Sequence, residues 1–114
     1  MRSLASYAII SHLLLLKDRH NGNILFDFDG NIVHIDFGFI LGIAPGNQFS
    51  LETAPFKFTS EMVEVLGGKD GDLYYKFCDL FVRGFLALQP YGDKLCEIVN
   101  IIGEADRGAK RRAT

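Results

Sequence analysis

No apolar run in the chain reaches the roughly 20 residues that a membrane-spanning helix needs. The longest, Ser3 to Leu16, is broken by Ser11 and His12 and lacks a small-residue cleavage site behind it. It therefore reads as a buried helix, not as a secretion signal. Cysteine is scarce: Cys78 and Cys96 are the only two. Their separation fits neither a zinc pair nor a disulfide framework, and both sit in apolar helical patterns, so they read as reduced core residues. Same-sign charge runs are missing outside Lys110-Arg111-Arg112, and 12 basic against 14 acidic residues give a net charge of −2. That balance excludes a nucleic-acid surface. None of the 12 glycines forms a G-x-G pair, so no glycine-rich loop is present to cover a nucleotide's phosphates. Internal repeats are absent as well. What remains is a chain of 114 residues, 48% hydrophobic and 23% charged, of the size and balance of one globular domain.

The pattern predicts helices around one short hairpin. After the first helix, the runs Asn23 to Phe28 and Ile32 to Phe37 read as strands joined through Asp29-Gly30-Asn31. Asp-Gly tolerates the positive φ of a tight turn, so these three residues read as turn formers. Gly38 to Phe58 loses its period and is punctuated by Gly42, Pro45, Gly46, Asn47 and Pro55, the mark of a long loop. Thr59 caps a helix through Leu66 that Gly67-Gly68 stops. A further helix opens at Asp70 or Asp72 and runs to about Leu88, with Leu73, Phe77, Leu80, Phe81, Gly84 and Leu88 inward; Pro90 ends it. The last runs from Tyr91 to Ile102 with Leu95, Ile98, Val99 and Ile102 inward. Residues 103–114 read as a polar, disordered tail behind a domain at 1–102.

Two polar clusters flank the hairpin: Asp18-Arg19-His20-Asn21-Gly22-Asn23 before it and His34-Ile35-Asp36-Phe37-Gly38 at its end. Phosphoryl transfer needs magnesium on the phosphates, oxygen ligands for the magnesium, and an acceptor for the proton of the attacking hydroxyl. Asn23 and Asp36 supply an amide oxygen and a carboxylate, the hard donors that magnesium prefers. Asp18 precedes Asn23 by the spacing of the kinase catalytic aspartate and its metal-binding asparagine, and Asp36-Phe37-Gly38 repeats the kinase metal-loop motif. D-R-H, however, stands where protein kinases have H-R-D.

In that reversal the chain resembles the lipid-kinase family that includes the phosphatidylinositol 3- and 4-kinases and related large protein kinases. LKDRHNGNILFDFDGNIVHIDFGFIL, Leu16 to Leu41, is similar to the family's catalytic loop, hairpin and metal loop. FSLETAPFKFTSEMVEVLGG, Phe49 to Gly68, is similar to the activation segment and following helix of type III phosphatidylinositol 4-kinases, and Val82 to Tyr91 leans towards their alpha-like branch. The resemblance covers Ser3 to Ile102. It implies an α+β fold, the C-terminal lobe of a protein-kinase-like domain, mostly helical with one β-hairpin carrying the catalytic and metal loops.

It also implies an ATP-dependent phosphotransferase of phosphoinositide signalling, acting on the 4-hydroxyl of phosphatidylinositol with Mg2+, or Mn2+ in its place. Asn23 and Asp36 would hold the metal and through it the ATP. Asp18 and His20 would orient and deprotonate the inositol hydroxyl, leaving open which takes the proton: histidine's ordinary pKa near 6.5 suits base work better than aspartate's near 3.9, but a loose transition state asks little of the base. Phe37, Gly38 and Lys57 belong to the substrate loop. Arg19 reads as a structural ion-pair partner, and His34 as a packing residue beside Asp36.

Between Asp36 and Lys57 the one basic residue is Lys57 itself, against the acidic Asp36 and Glu52. A phosphorylated inositol ring would call for several cations, so unphosphorylated phosphatidylinositol fits better. With neither a glycine-rich loop nor a strand lysine in the sequence, the partner expected for the site is the missing nucleotide-binding N-lobe of the same kinase, and the isolated chain is expected to be inactive. The implied setting is cytoplasmic, with peripheral membrane association. Two other readings remain: a serine/threonine protein kinase fragment of the related large family, and a two-metal hydrolase built on Asp18, His20, His34 and Asp36.

Overall fold

The computed structural model describes residues 1–42 and 52–113. The loop reading of 43–51 lies outside the described residues. Two compact units are present, Met1–Gly84 and Phe85–Thr114. The elements are α1 (Arg2–Leu14), β1 (Ile24–Phe26), β2 (Ile32–His34), α2 (Ser60–Val65), α3 (Asp72–Leu88) and α4 (Gly92–Ala113), with single 3-10 turns at Asn21–Asn23 and Gln89–Tyr91. The expected α+β class holds: helices dominate, around one two-stranded antiparallel sheet.

In the first unit α1 buries one face, carried by Leu4, Ala5, Ala8, Ile9 and Ser11. Its other faces expose Ile10, Leu13 and Leu15, so the all-round burial expected for this helix is not found. The hairpin lies against the buried face: the Ile32 N–H donates to Ser3 Oγ at 3.0 Å. Ile24 and Ile32 join Leu4, Ala5, Ala8, Leu66 and Phe77 in one core, each large aliphatic side chain contributing about 1.5–3 kcal/mol. Strand alternation turns Leu25 and Val33, a cross-strand pair, outward.

The strands are shorter than the sequence suggests. Asn23 is taken by the 3-10 turn, and Asp27 leaves the ladder to organise the turn. Its Oδ1 accepts from the N–H of Asp29 at 3.0 Å and of Asn31 at 2.7 Å, while Oδ2 accepts from Asn31 Nδ2 at 2.9 Å. Asn31's side-chain amide, then its backbone, hold the Asp27 carboxyl below the usual carboxylate range. Gly30 adopts φ 77°, the conformation for which glycine is favoured.

α2 behaves as read. Thr59 Oγ1 accepts from the Met62 N–H at 3.4 Å, a cap worth about 1 kcal/mol. Glu61 sits in the first turn, its carboxyl held low chiefly by the backbone N–H there and the hydroxyls of Thr59 and Ser60. The helix ends in a Schellman motif, with Gly68 N–H to Val63 O and Gly67 N–H to Glu64 O, both 2.9 Å. On α3, Phe77 is buried and stacks on Phe58 at 4.6 Å. Leu80, Phe81, Gly84 and Leu88 are half-buried, whereas Leu73, expected inward, is exposed. Tyr75 is exposed too. A Cβ at Gly84 would stand 2.5 Å from Ile9 Cδ1, so α3 passes very close to α1.

In the second unit α4 continues through residues 103–113, where a disordered tail is expected. Lys110 Nζ donates to Asp106 Oδ2 at 2.7 Å and Arg107 Nε to Gly103 O at 3.2 Å. Lys110, Arg111 and Arg112 also complement the negative end of the helix dipole. Leu95 and Val99 are half-buried, but Ile98 and Ile102 are exposed, as is Cys96, correcting its reading as a core residue. Among the described residues no helix is long and apolar enough to cross a membrane.

Candidate functional site

The two polar clusters meet at the open end of the hairpin. Register pairs Ile24 with His34, and the Ile35 N–H donates to Asn23 O at 2.9 Å, so Asn23 lies beside the peptide preceding Asp36. Asp18 and Asp36 both adopt the left-handed region, φ 60° and 58°. Such backbone strain in non-glycine residues is uncommon and gathers at functional sites.

Asn23 is buried and presents both ends of its amide to different tasks. Its Nδ2 donates to Asp18 O at 2.9 Å and lies 3.1 Å from His20 Nε2. Its Oδ1 accepts no hydrogen bond among the described residues, and neither does the exposed carboxylate of Asp36. Both are hard oxygens of the kind that magnesium takes as ligands. Asn23 and Asp36 are the residues that could hold a metal.

His20 caps the 3-10 turn: the Gly22 N–H donates to its Nδ1 at 3.1 Å. A neutral imidazole has one in-plane lone pair. Gly22 N–H and Asn23 Nδ2–H thus compete for it, and with Gly22 bound the ring proton lies on Nε2, 3.8 Å from Asp18 Oδ2. Asp18's carboxylate has no other partner among the described residues.

Arg19 is buried and has no carboxylate partner among the described residues, which corrects the ion-pair reading. Its Nε donates to Lys17 O at 2.9 Å, Nη1 to Ile35 O at 2.8 Å, and Nη2 to Asp36 O. The guanidinium also lies over the Phe37 ring, 5.6 Å from its centroid. Phe37 is thus a platform for Arg19, and Gly38 follows directly, a Cβ there standing 3.5 Å from Asp36 Oδ1. Lys57 reaches the loop before the hairpin, donating to Asn21 Oδ1 at 2.7 Å.

His34 is not at the site. It is buried and stacked on Tyr7 at 4.4 Å, its Nδ1 without a hydrogen-bond partner among the described residues. Burial, then the charges of Arg19 and Lys57, push its pKa down to about 4. Among the described residues no three His, Cys, Asp or Glu side chains gather to hold a metal, so the four-residue hydrolase site does not form. Sequence reasoning missed the contact of Glu52 with the Asp18 backbone, Oε1 and Oε2 accepting its N–H at 3.2 and 3.1 Å. It also missed Lys17 Nζ donating to Ala54 O at 3.1 Å. No local pattern signals either, since each joins residues far apart in the chain.

Asp18, His20, Asn23 and Asp36 thus lie around one end of the hairpin, and comparison with known proteins gives the class. The chain belongs to the phosphatidylinositol 3- and 4-kinase family, whose sequence profile matches residues 1–105. It is 48% identical over 103 residues to phosphatidylinositol 4-kinase stt4 of Schizosaccharomyces pombe, covering 90% of this chain and 5% of that protein. To phosphatidylinositol 4-kinase beta of Homo sapiens it is 45% identical over 107 residues, 94% of this chain and 13% of that one. The Danio rerio protein of the same name is 46% identical over the same length. The chain thus spans only a small part of the relatives it matches.

Proposed function

We propose that this chain carries the catalytic-loop and metal-loop part, the C-terminal lobe, of a kinase that transfers the γ-phosphate of ATP to the 4-hydroxyl of phosphatidylinositol. The observation that carries the reading is the pair of unengaged oxygens, Asn23 Oδ1 and the Asp36 carboxylate, at one end of a hairpin whose preceding loop holds Asp18 and His20. Magnesium, when bound there, would neutralise charge on the transferring phosphoryl group. Asn23 keeps Oδ1 available because Nδ2 is committed to the Asp18 carbonyl. Asp18 accepts the proton of the inositol hydroxyl; His20, whose Nδ1 lone pair is engaged by the Gly22 N–H, orients that carboxylate through Nε2–H. The outward apolar residues Leu25, Val33 and Ile35 offer a floor for the flat adenine. Lys57, the one cation between positions 36 and 57, is committed to Asn21, which favours the unphosphorylated ring. ATP grip comes from the N-lobe of the same kinase, so this segment alone is inactive. The site works at the cytoplasmic face of a membrane to which the protein binds peripherally.

The test is a chimera in which this chain replaces the matching 107-residue segment of human phosphatidylinositol 4-kinase beta. It should phosphorylate phosphatidylinositol in vesicles well above phosphatidylinositol bisphosphate or a serine peptide, and Asp36→Asn should abolish transfer. Transfer to the peptide in preference to lipid would instead support the protein-kinase reading.

A further inference from the structure

Residues 52–57 return to the catalytic loop at three places. Glu52 receives the Asp18 N–H on both carboxylate oxygens, at 3.2 and 3.1 Å. Lys17 Nζ donates to Ala54 O at 3.1 Å, and Lys57 Nζ to Asn21 Oδ1 at 2.7 Å. A small cavity lined by Leu16, Arg19, Glu52, Ala54, Phe56 and Lys57 lies between the two segments. The contacts fall on either side of Asp18, so the loop is held from both flanks. Asp18 itself adopts φ 60°, a conformation that an L-residue keeps only when its surroundings enforce it. A carboxylate on its amide does so, since a charge-assisted bond of this kind is about twice as strong as a neutral one.

We propose that Glu52 is a positioning residue: its carboxylate fixes the backbone of Asp18 and so aims the Asp18 side chain towards the reacting hydroxyl. The inference rests on the reading of Asp18 as proton acceptor, but the backbone link it asserts is testable without any activity. Glu52 touches neither substrate nor metal in this scheme; it acts through the Asp18 peptide. The returning segment, which ends at the substrate-loop residue Lys57, thereby sets the catalytic loop's geometry. A change in the substrate loop would reach the catalytic aspartate along this connection.

The experiment is amide hydrogen exchange by NMR on the full 114-residue chain, comparing wild type with Glu52→Gln and Glu52→Ala. The Asp18 amide should exchange about ten-fold or more faster in Glu52→Ala. Glu52→Gln, which keeps one acceptor oxygen, should fall between. The Ile35 amide, bonded to Asn23 O within the hairpin, reports whether the fold survives and should be unchanged in both variants. Asp18 exchange unaltered in Glu52→Ala while Ile35 stays protected would overturn the proposal. If Glu52→Ala unfolds the chain, Glu52→Gln decides: an unchanged Asp18 amide there overturns it and an accelerated one supports it. In the chimera described above, Glu52→Ala should lower kcat with the KM for ATP held. If the exchange result holds while the chimera shows no transfer at all, the functional reading fails and the backbone link stands.

Discussion

Arg19 holds the backbone of Asp36. Its guanidinium spans the gap between the loop before the hairpin and the segment after it, Nη2 donating to the Asp36 carbonyl and Nη1 to that of Ile35 at 2.8 Å, while Nε bonds Lys17 O at 2.9 Å on its own side. A planar fork of donors can serve three carbonyls at once, which a lysine ammonium on a single flexible stem cannot.

Arg19→Met should therefore leave three carbonyls without their donor in a buried place. Hydrogen bonds to a charged group contribute about 1.5–3 kcal/mol each, with incomplete additivity, so a loss of about 3–5 kcal/mol is expected. Urea unfolding measures it. Arg19→Lys should recover part of that loss and not all; full recovery would mean that charge alone matters.

His34 makes stability depend on pH. Its pKa is depressed from 6.5 to about 4 in the folded chain, so between those values the unfolded chain binds the extra proton. Stability is then fully present above about 6.5, falls as pH drops from there towards 4, and levels off below. The contribution is about 1–3 kcal/mol. In His34→Phe, which keeps a ring against Tyr7, the slope of unfolding free energy across this window should shrink markedly; an unchanged slope would assign it to other groups.

The contact of Gly84 with Ile9 leaves no room for a methyl group. Gly84→Ala gains helix propensity of about 1 kcal/mol but overpacks at about 1–3 kcal/mol, for a net loss of about 1 kcal/mol in chemical denaturation. Adding Ile9→Val, which removes the clashing Cδ1, should restore stability to wild type or above.

Most of the local architecture is legible in the sequence because its causes are local. Thr59, Glu61 and Gly67-Gly68 mark both ends of α2, and Asp29-Gly30-Asn31 marks the turn, each through contacts a few residues apart. Of the candidate site, Asp18, His20, Asn23 and Asp36 are legible through residue type and spacing. What holds them is not. Arg19 reaches carbonyls beyond the hairpin and Glu52 an amide 34 positions earlier in the chain, and carbonyls and amides are the same at every position of a chain. The helix through residues 103–113 was readable and is misread: Asp106 and Lys110 form an i,i+4 pair that a composition-based view of a polar tail overlooks. The exposed Leu73, Tyr75, Ile98 and Ile102 show the limit of periodicity, which tells that a face is apolar and not what covers it.

The claim on which the account turns is that Asn23 and Asp36 together present a metal site. Paramagnetic broadening by Mn2+ tests it on the labelled chain by NMR. Substoichiometric Mn2+ should broaden the Asn23 side-chain amide and the Asp36 backbone amide first, and Asp36→Asn should abolish both effects. Broadening that begins instead at Asp27 and Asp29 or at Asp106, with Asn23 and Asp36 sharp, would contradict it.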